Sequence, residues 1–274
     1  TAQHLQSLSY HPNSVLYPTL QKICSRLASG AIPPCARQFF GGARLIALVK
    51  AGGGYRPIAC GDILRRLTAK LLCAITRKAA RTFFLDASQV GVAVPGGAEA
   101  MSHAARDMSK SWRREGCHKV MFKFDMTNAF NLVSRQAVID EVEEHFPSLL
   151  PYCTWTLGAP STLSLGPEYS LDSSLGVHQG DPLGPLLFSL VVRKAWNSTR
   201  IAITECEELR KLDLNAWYLD DGIIGGDADT VLFAVNKFQE VGLPLGLVLN
   251  NSKCEVIGDP AFCADVADRF TGLA

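Results

Sequence analysis

Residues 14–28 carry apolar side chains at helical spacing and stop near Gly30, which predicts an amphipathic helix closed by glycine. Two short apolar runs, Arg44–Lys50 and Tyr55–Cys60, flank Ala51-Gly52-Gly53-Gly54 and predict a β-hairpin. Asp62 suits the N-cap of a Leu-, Ala- and Arg-rich helix over 63–85, since a carboxylate there accepts an orphan N–H. Gly96-Gly97 opens a further helix over about 98–114 that ends on Arg113 and Arg114.

From Val120 to Asp125 the chain alternates as a strand, and Ser134 then caps a helix with Val138, Ile139, Val142 and Phe146 on one face. A second hairpin is predicted around Gly166-Pro167. Asp181-Pro182 starts a helix running to about Trp196, Asp being a good cap and Pro a good first residue. Asn215–Leu219, Asp220-Asp221-Gly222 and Ile223–Gly225 read as strand, tight turn and strand. A helix from Asp229 and a hairpin over 246–257 follow. The order of elements over 120–257 predicts an α+β fold, an antiparallel sheet with helices on one face. Residues 1–119 form a mostly helical lobe with a hairpin at about 44–60, and 258–274 begin a further region.

Charge sharpens this division. Residues 1–119 hold 17 Lys and Arg against 5 Asp and Glu, whereas 120–274 hold 10 against 21. A basic half can track phosphates, and an acidic half can collect divalent cations; two solvated surfaces of unlike sign are the plain alternative. Nine cysteines at wide spacing, none in a Cys-x-x-Cys pair, fit reduced thiols and exclude a zinc module of that type. No run of about 18 apolar residues predicts a membrane span. The chain opens on Thr1, without a secretory signal, as a piece of a longer polypeptide or a processed terminus does.

Two acidic positions stand at the ends of predicted buried strands: Asp125, in Phe124-Asp125-Met126-Thr127-Asn128-Ala129-Phe130, and Asp220-Asp221, in Trp217-Tyr218-Leu219-Asp220-Asp221-Gly222. Adjacent carboxylates repel and resist burial unless a cation compensates them. If their strands are neighbours, Asp125 and Asp220 converge on hard cations, as phosphoryl or nucleotidyl transfer requires. Alone, Asp125 reads more readily as a strand-end turn residue than as a metal ligand.

The ordered set of motifs resembles reverse transcriptases. Asp125 followed five residues later by Phe130 is similar to the family's first palm motif. Gln179-Gly180-Asp181-Pro182-Leu183-Gly184-Pro185-Leu186-Leu187-Phe188 is similar to the second, and Tyr218-Leu219-Asp220-Asp221 to the metal turn. The stretch Gly246–Glu255, with Lys253, resembles the motif that sets a lysine near the incoming nucleotide. Lys50 and Tyr55-Arg56-Pro57-Ile58 resemble the fingers hairpin that grips the triphosphate. The wording is nearest to the non-long-terminal-repeat retrotransposon type, from which Gly184 departs by standing where Ser is usual.

This resemblance implies a right-handed polymerase fold of fingers and palm, with the thumb absent or truncated, since only 17 residues follow Ile257. It implies an RNA-directed DNA polymerase that adds dNTPs to a DNA primer on an RNA template with two Mg2+ ions, Mn2+ being a possible substitute. Asp125, Asp220 and Asp221 would hold the metals, Asp221 less stringently. Phe130 would reject a 2′-hydroxyl, Gln179 and Gly180 would shape the nucleotide pocket, Lys50 and Arg56 would bind phosphates, and Lys253 would protonate pyrophosphate.

Each residue also has a plainer reading: a core aromatic for Phe130, an edge-strand charge for Arg56, solvated lysines at 50 and 253, and a packing role for His178 beside Gln179. Two whole-chain alternatives stand beside the polymerase: a catalytically idle retroelement remnant that binds nucleic acid, and an RNA-dependent RNA polymerase, against which Phe130 and the Tyr-Leu-Asp-Asp turn argue. Copying into a genome implies the nucleus.

Overall fold

The computed structural model describes residues 15–50, 52–115, 118–259, 262, 263 and 269. They divide into two compact units, one of residues up to Thr76 with Arg135–Gly184, the other of Arg77–Ser134 with Pro185 onward. The units do not part at residue 119 as the charge suggests. The chain enters each more than once, because helix 97–115 packs on the second unit's sheet and the second predicted hairpin joins the first.

In the first unit, strands β1 (Ala43–Val49) and β2 (Tyr55–Gly61) form the expected hairpin, with Val49 paired to Tyr55. Ala51 of its turn lies outside the described residues. The second hairpin, β4 (Ser161–Leu165) and β5 (Tyr169–Ser173), adds to it through a parallel pairing of Ala43 with Leu163 and Arg44 with Ser164. One four-stranded sheet of order β2-β1-β4-β5 results. That junction was not legible, because parallel pairing of distant segments leaves no local pattern.

Arg135, 7% exposed at the start of helix Arg135–His145, fastens the end of β5: it donates to Ser173 O, Ser173 Oγ and Gly176 O, each at 2.8 Å. Helix Leu16–Ala28 is held where the Trp155 indole N–H donates to Leu27 O at 2.7 Å. Asp62 caps helix Ile63–Asp86 as expected, accepting the Leu64 N–H at 2.8 Å.

The second unit is built on an antiparallel sheet of β3 (Val120–Phe124), β6 (Leu214–Tyr218), β7 (Asp221–Gly226) and β8 (Glu255–Gly258), in the order β6-β7-β3-β8. On one face Phe124, Trp217 and Phe238 lie with ring centroids 4.9–5.2 Å apart, and Trp196 joins at 5.3 Å from Trp217. These rings are fully buried and anchor helices Gly184–Glu205 and Ala228–Gly242. Aromatic burial of this area dominates core energetics, at about 1.5–3 kcal/mol per side chain.

Helices Gly184–Glu205 and Ala228–Gly242 share that face as expected, and helix Gly97–Glu115 covers part of the other. Its Met101, Ala105, Met108 and Trp112 pack on Met121, Leu214, Ala216 and Ile223. This is a helical stripe meeting a period-two face.

Three boundaries differ from expectation. The helix after Asp181-Pro182 begins at Gly184 and runs to Glu205, because Asp181 first caps a turn in which Gly184 N–H donates to Asp181 O. The tight turn is Leu219-Asp220, and Asp221 already belongs to β7 opposite Tyr218. The segment 246–257 is no hairpin: Leu249 bridges Met126, while β8 pairs with β3. Both arms bond to the first palm segment instead of to each other.

Candidate active site

Asp125 follows β3 directly, and Asp221 opens β7. The two strands pair antiparallel up to Phe124 opposite Gly222, so one step further brings Asp125 level with Asp221. Lys123 and Asp125 share a face by the two-residue period of the strand. On that face Lys123 donates to Glu255 at 2.7 Å.

Asp125 and Asp220 are half-buried and Asp221 presents an exposed edge. Partial desolvation of its carboxyl, and next the charge of Asp125, push the pKa of Asp221 above the ordinary carboxylate value, while Lys123 opposes the shift. Two anions held this close in a partly desolvated place are a poor arrangement by themselves and a good donor set for a hard cation. Asp125, Asp220 and Asp221 do not bring three ligand atoms within 4.8 Å of one another. Among the described residues the group whose ligand atoms all lie within 4.8 Å is Glu141, Glu144 and His145, an ion-pair set along one helix with His145 at 3.5 Å from Glu141.

The turn that carries Asp220 is unusual in its backbone. Leu219 has φ +56°, as the first position of a primed hairpin turn demands, although leucine disfavours it. Gly222 is hemmed in: a Cβ there would stand 2.4 Å from the Trp217 ring. Phe130 is half-buried on a short helix, Ala129–Leu132, that follows Asn128 in the left-handed region. Its ring stacks on Phe188 of helix Gly184–Glu205 at 4.7 Å and 17°.

Lys253 is exposed in the turn before β8, and its N–H donates to Asn250 O while Asn250 N–H donates to Asp125 O, both at 2.8 Å. Cys254 also touches this acid, its Sγ accepting the Asp125 N–H at 3.4 Å.

The remaining candidates lie in the first unit. Lys50 and Arg56 are exposed near the tip of the β1–β2 hairpin, Arg56 opposite Leu48, with Lys50 N–H donating to Gly54 O. Gln179 docks on the same hairpin, its carbonyl accepting the Ala59 N–H at 2.8 Å. Gly180 follows at φ +126°, where a Cβ would stand 2.9 Å from Ala59 O. Glycine is required here by the approach of the protein's own strand.

Under that loop lies a network that sequence reasoning missed. Arg65, 1% exposed, donates to Gly41 O at 2.7 Å and to His178 Nδ1 at 3.0 Å, and pairs with Asp181 at 3.7 Å. A guanidinium only donates, so His178 accepts at Nδ1 and carries its proton on Nε2, toward Ser161 Oγ. Burial, then Arg65 and Arg135, lower the His178 pKa to about 3. His178 is thus a neutral packing residue, as a lone histidine beside a motif was expected to be. Neighbouring Arg65 and Arg66 look alike in sequence, and only the fold shows which is buried.

Paired acids at adjoining strand ends of one sheet, Asp125 level with Asp221, form a donor set suited to hard cations. The sequence model described as "Reverse transcriptase (RNA-dependent DNA polymerase)" matches residues 48–262, and the chain belongs to that family. Members generally use divalent metal ions and act on nucleic acid. The chain is 26% identical over 227 residues to the retrotransposable element SLACS 132 kDa protein of Trypanosoma brucei gambiense, covering 80% of this chain and 18% of that protein.

Among solved structures it is similar to telomerase from Candida albicans, determined with a TWJ fragment of telomeric RNA (TM-score 0.61, 10% identity, 84% of this chain and 43% of that one). It is also similar to apo telomerase from Candida tropicalis (TM-score 0.59, 13% identity, 84% and 46%). These likenesses show a polymerase fold. The chain spans less than a fifth of the matched retroelement protein and under half of either telomerase chain.

Proposed function

We propose that this chain is the polymerase portion of a retroelement reverse transcriptase, adding dNTPs to a primer 3′-hydroxyl on an RNA template with two Mg2+ ions. The observation that carries the reading is Asp125 drawn level with Asp221, close enough to raise its pKa. Asp125 and Asp220 hold the ions, with Asp221 alongside. When bound, two such ions activate an attacking hydroxyl and stabilise the departing pyrophosphate; Mn2+ can substitute.

Phe130, backed by Phe188, forms a wall beneath the sugar that leaves no room for a 2′-hydroxyl. Lys253 carries the proton for pyrophosphate from a turn tied to Asp125. Lys50 and Arg56 bind phosphates, Arg in bidentate fashion, and Gln179 and Gly180 form the floor of the nucleotide pocket. The β1–β2 hairpin belongs to the fingers and the β6-β7-β3-β8 sheet to the palm. Retroelement copying into a genome places the protein in the nucleus.

Primer extension on an RNA template tests this. Addition of dNTPs with rejection of rNTPs is expected, and Phe130→Ala should admit rNTPs. Equal use of rNTPs by the unmodified chain would favour an RNA polymerase, and tight binding of primed template with no extension would favour an idle remnant.

A further inference from the structure

The segment after helix Ile63–Asp86 contains none of the residues assigned above, yet it reaches the metal turn. Ser88, at φ +58°, redirects the chain. Gln89 then bridges Trp217 in parallel, with Val90 N–H donating to Trp217 O at 2.7 Å and Trp217 N–H to Ser88 O at 2.9 Å.

The Gln89 side chain, only 2% exposed, extends past the end of β6. Its Oε1 accepts the N–H of Leu219 at 2.9 Å and that of Gly91 at 3.0 Å, and its Nε2 donates to Leu219 O at 3.2 Å. Both accepted bonds come from N–H donors, which fixes the orientation of the amide. Both backbone polar groups of Leu219 are therefore satisfied by one side chain. Gly91 makes room for it: a Cβ there would stand 2.6 Å from Leu219 N.

Leu219 is the residue held at φ +56°, and Asp220 and Asp221 come directly after it. Left-handed backbone persists in a non-glycine residue only where the surroundings over-determine it, and in a two-residue turn any relaxation at the first position redirects the second.

Building on the polymerase reading, we infer that Gln89 is a positioning residue for nucleotidyl transfer: its amide clamps Leu219 and so sets where Asp220 and Asp221 stand. It touches no substrate and acts through the turn. An apolar side chain of similar length removes the clamp and keeps the volume.

The test compares Gln89→Met, the shorter amide Gln89→Asn, and Gln89→Met combined with Leu219→Gly, all in the full chain. Three readings are taken: kcat and KM for single-nucleotide addition on primed RNA, Mn2+ affinity by calorimetry, and Tm. Both single variants should lose roughly 10–100-fold in kcat and in Mn2+ affinity, as removal of a group that orients metal ligands does, while KM for primed template stays within about twofold. Glycine takes positive φ without strain, so the double variant should recover part of both losses. Unchanged kcat and Mn2+ affinity in the single variants would overturn the inference. So would losses that follow Tm and are not recovered by Leu219→Gly. If the unmodified chain adds no nucleotide, the polymerase reading fails, while the Mn2+ titration still decides what Gln89 does to the turn.

Discussion

Asp125 and Asp221 stand across neighbouring strands one step beyond the last paired residues, Phe124 and Gly222, and the charge of the first helps to raise the pKa of the second. The fold thus sustains a local repulsion that a divalent cation held between them would relieve, and that repulsion has a measurable cost.

With divalent ions chelated at neutral pH, Asp125→Asn should raise Tm by about 1–2 °C. A like-charge interaction at a partly exposed site is worth roughly 0.5 kcal/mol, and a chain of this size moves by about 2–4 °C per kcal/mol. The same variant should lose the thermal stabilisation that Mg2+ or Mn2+ gives the unmodified protein. A lower Tm in chelator would show that the two carboxylates do not oppose each other.

His178 predicts a pH dependence whose sign follows from its environment. Its pKa falls from the ordinary 6.5 to about 3 in the fold, so the unfolded chain binds the extra proton. Its contribution is complete above pH 6.5 and is lost as pH falls from there toward 3, at up to about 1.4 kcal/mol per pH unit. Denaturant titrations over this range should show His178→Gln with a shallower acid loss than the unmodified chain. An unaltered slope would mean that His178 is protonated in the folded protein.

Arg65→Met should destabilise the protein by about 3–5 kcal/mol, because Asp181 and the carbonyl of Gly41 lose their buried partner. Arg65→Lys should recover little, since an ammonium cannot span the carbonyl, the imidazole and the carboxylate together. Equilibrium unfolding measures both, and a loss under 1 kcal/mol for Arg65→Met would contradict the buried network.

Gly180→Ala should lower nucleotide addition and stability together. Its Cβ would meet Ala59 O at 2.9 Å with the backbone at φ +126°, a conformation costing a non-glycine residue about 1–3 kcal/mol. Wild-type kinetics and Tm in this variant would show that the loop shifts freely away from β2.

The fold and the site were legible in the sequence to different depths. The alternation of Val120–Phe124 and the Gly96-Gly97 opening with its Arg113-Arg114 end are local signals, and both elements formed where those signals placed them. Such signals do not say which sheet the helix meets, and it packs on β3, β6 and β7. Asp125, Asp220 and Asp221 stood out as candidates because carboxylates gathered at strand ends resist burial without a cation, and the pairing of β3 with β7 brings Asp125 level with Asp221. Gln89, Arg65 and Arg135 were not legible, because an amide or guanidinium becomes a clamp only when distant backbone arrives beside it. For Gln89 the sole local sign is Gly91, two residues on.

The most direct test of the account is single-dNTP addition to a primed RNA template over a Mg2+ titration, run beside the Asp220→Ala, Asp221→Ala double variant. Metal ligation at such a site stabilises the transition state by several kcal/mol, so the double variant should be slower by about 10³-fold or more while still binding primed template. Addition at a comparable rate in the double variant, or addition independent of Mg2+, would contradict the assignment of these aspartates.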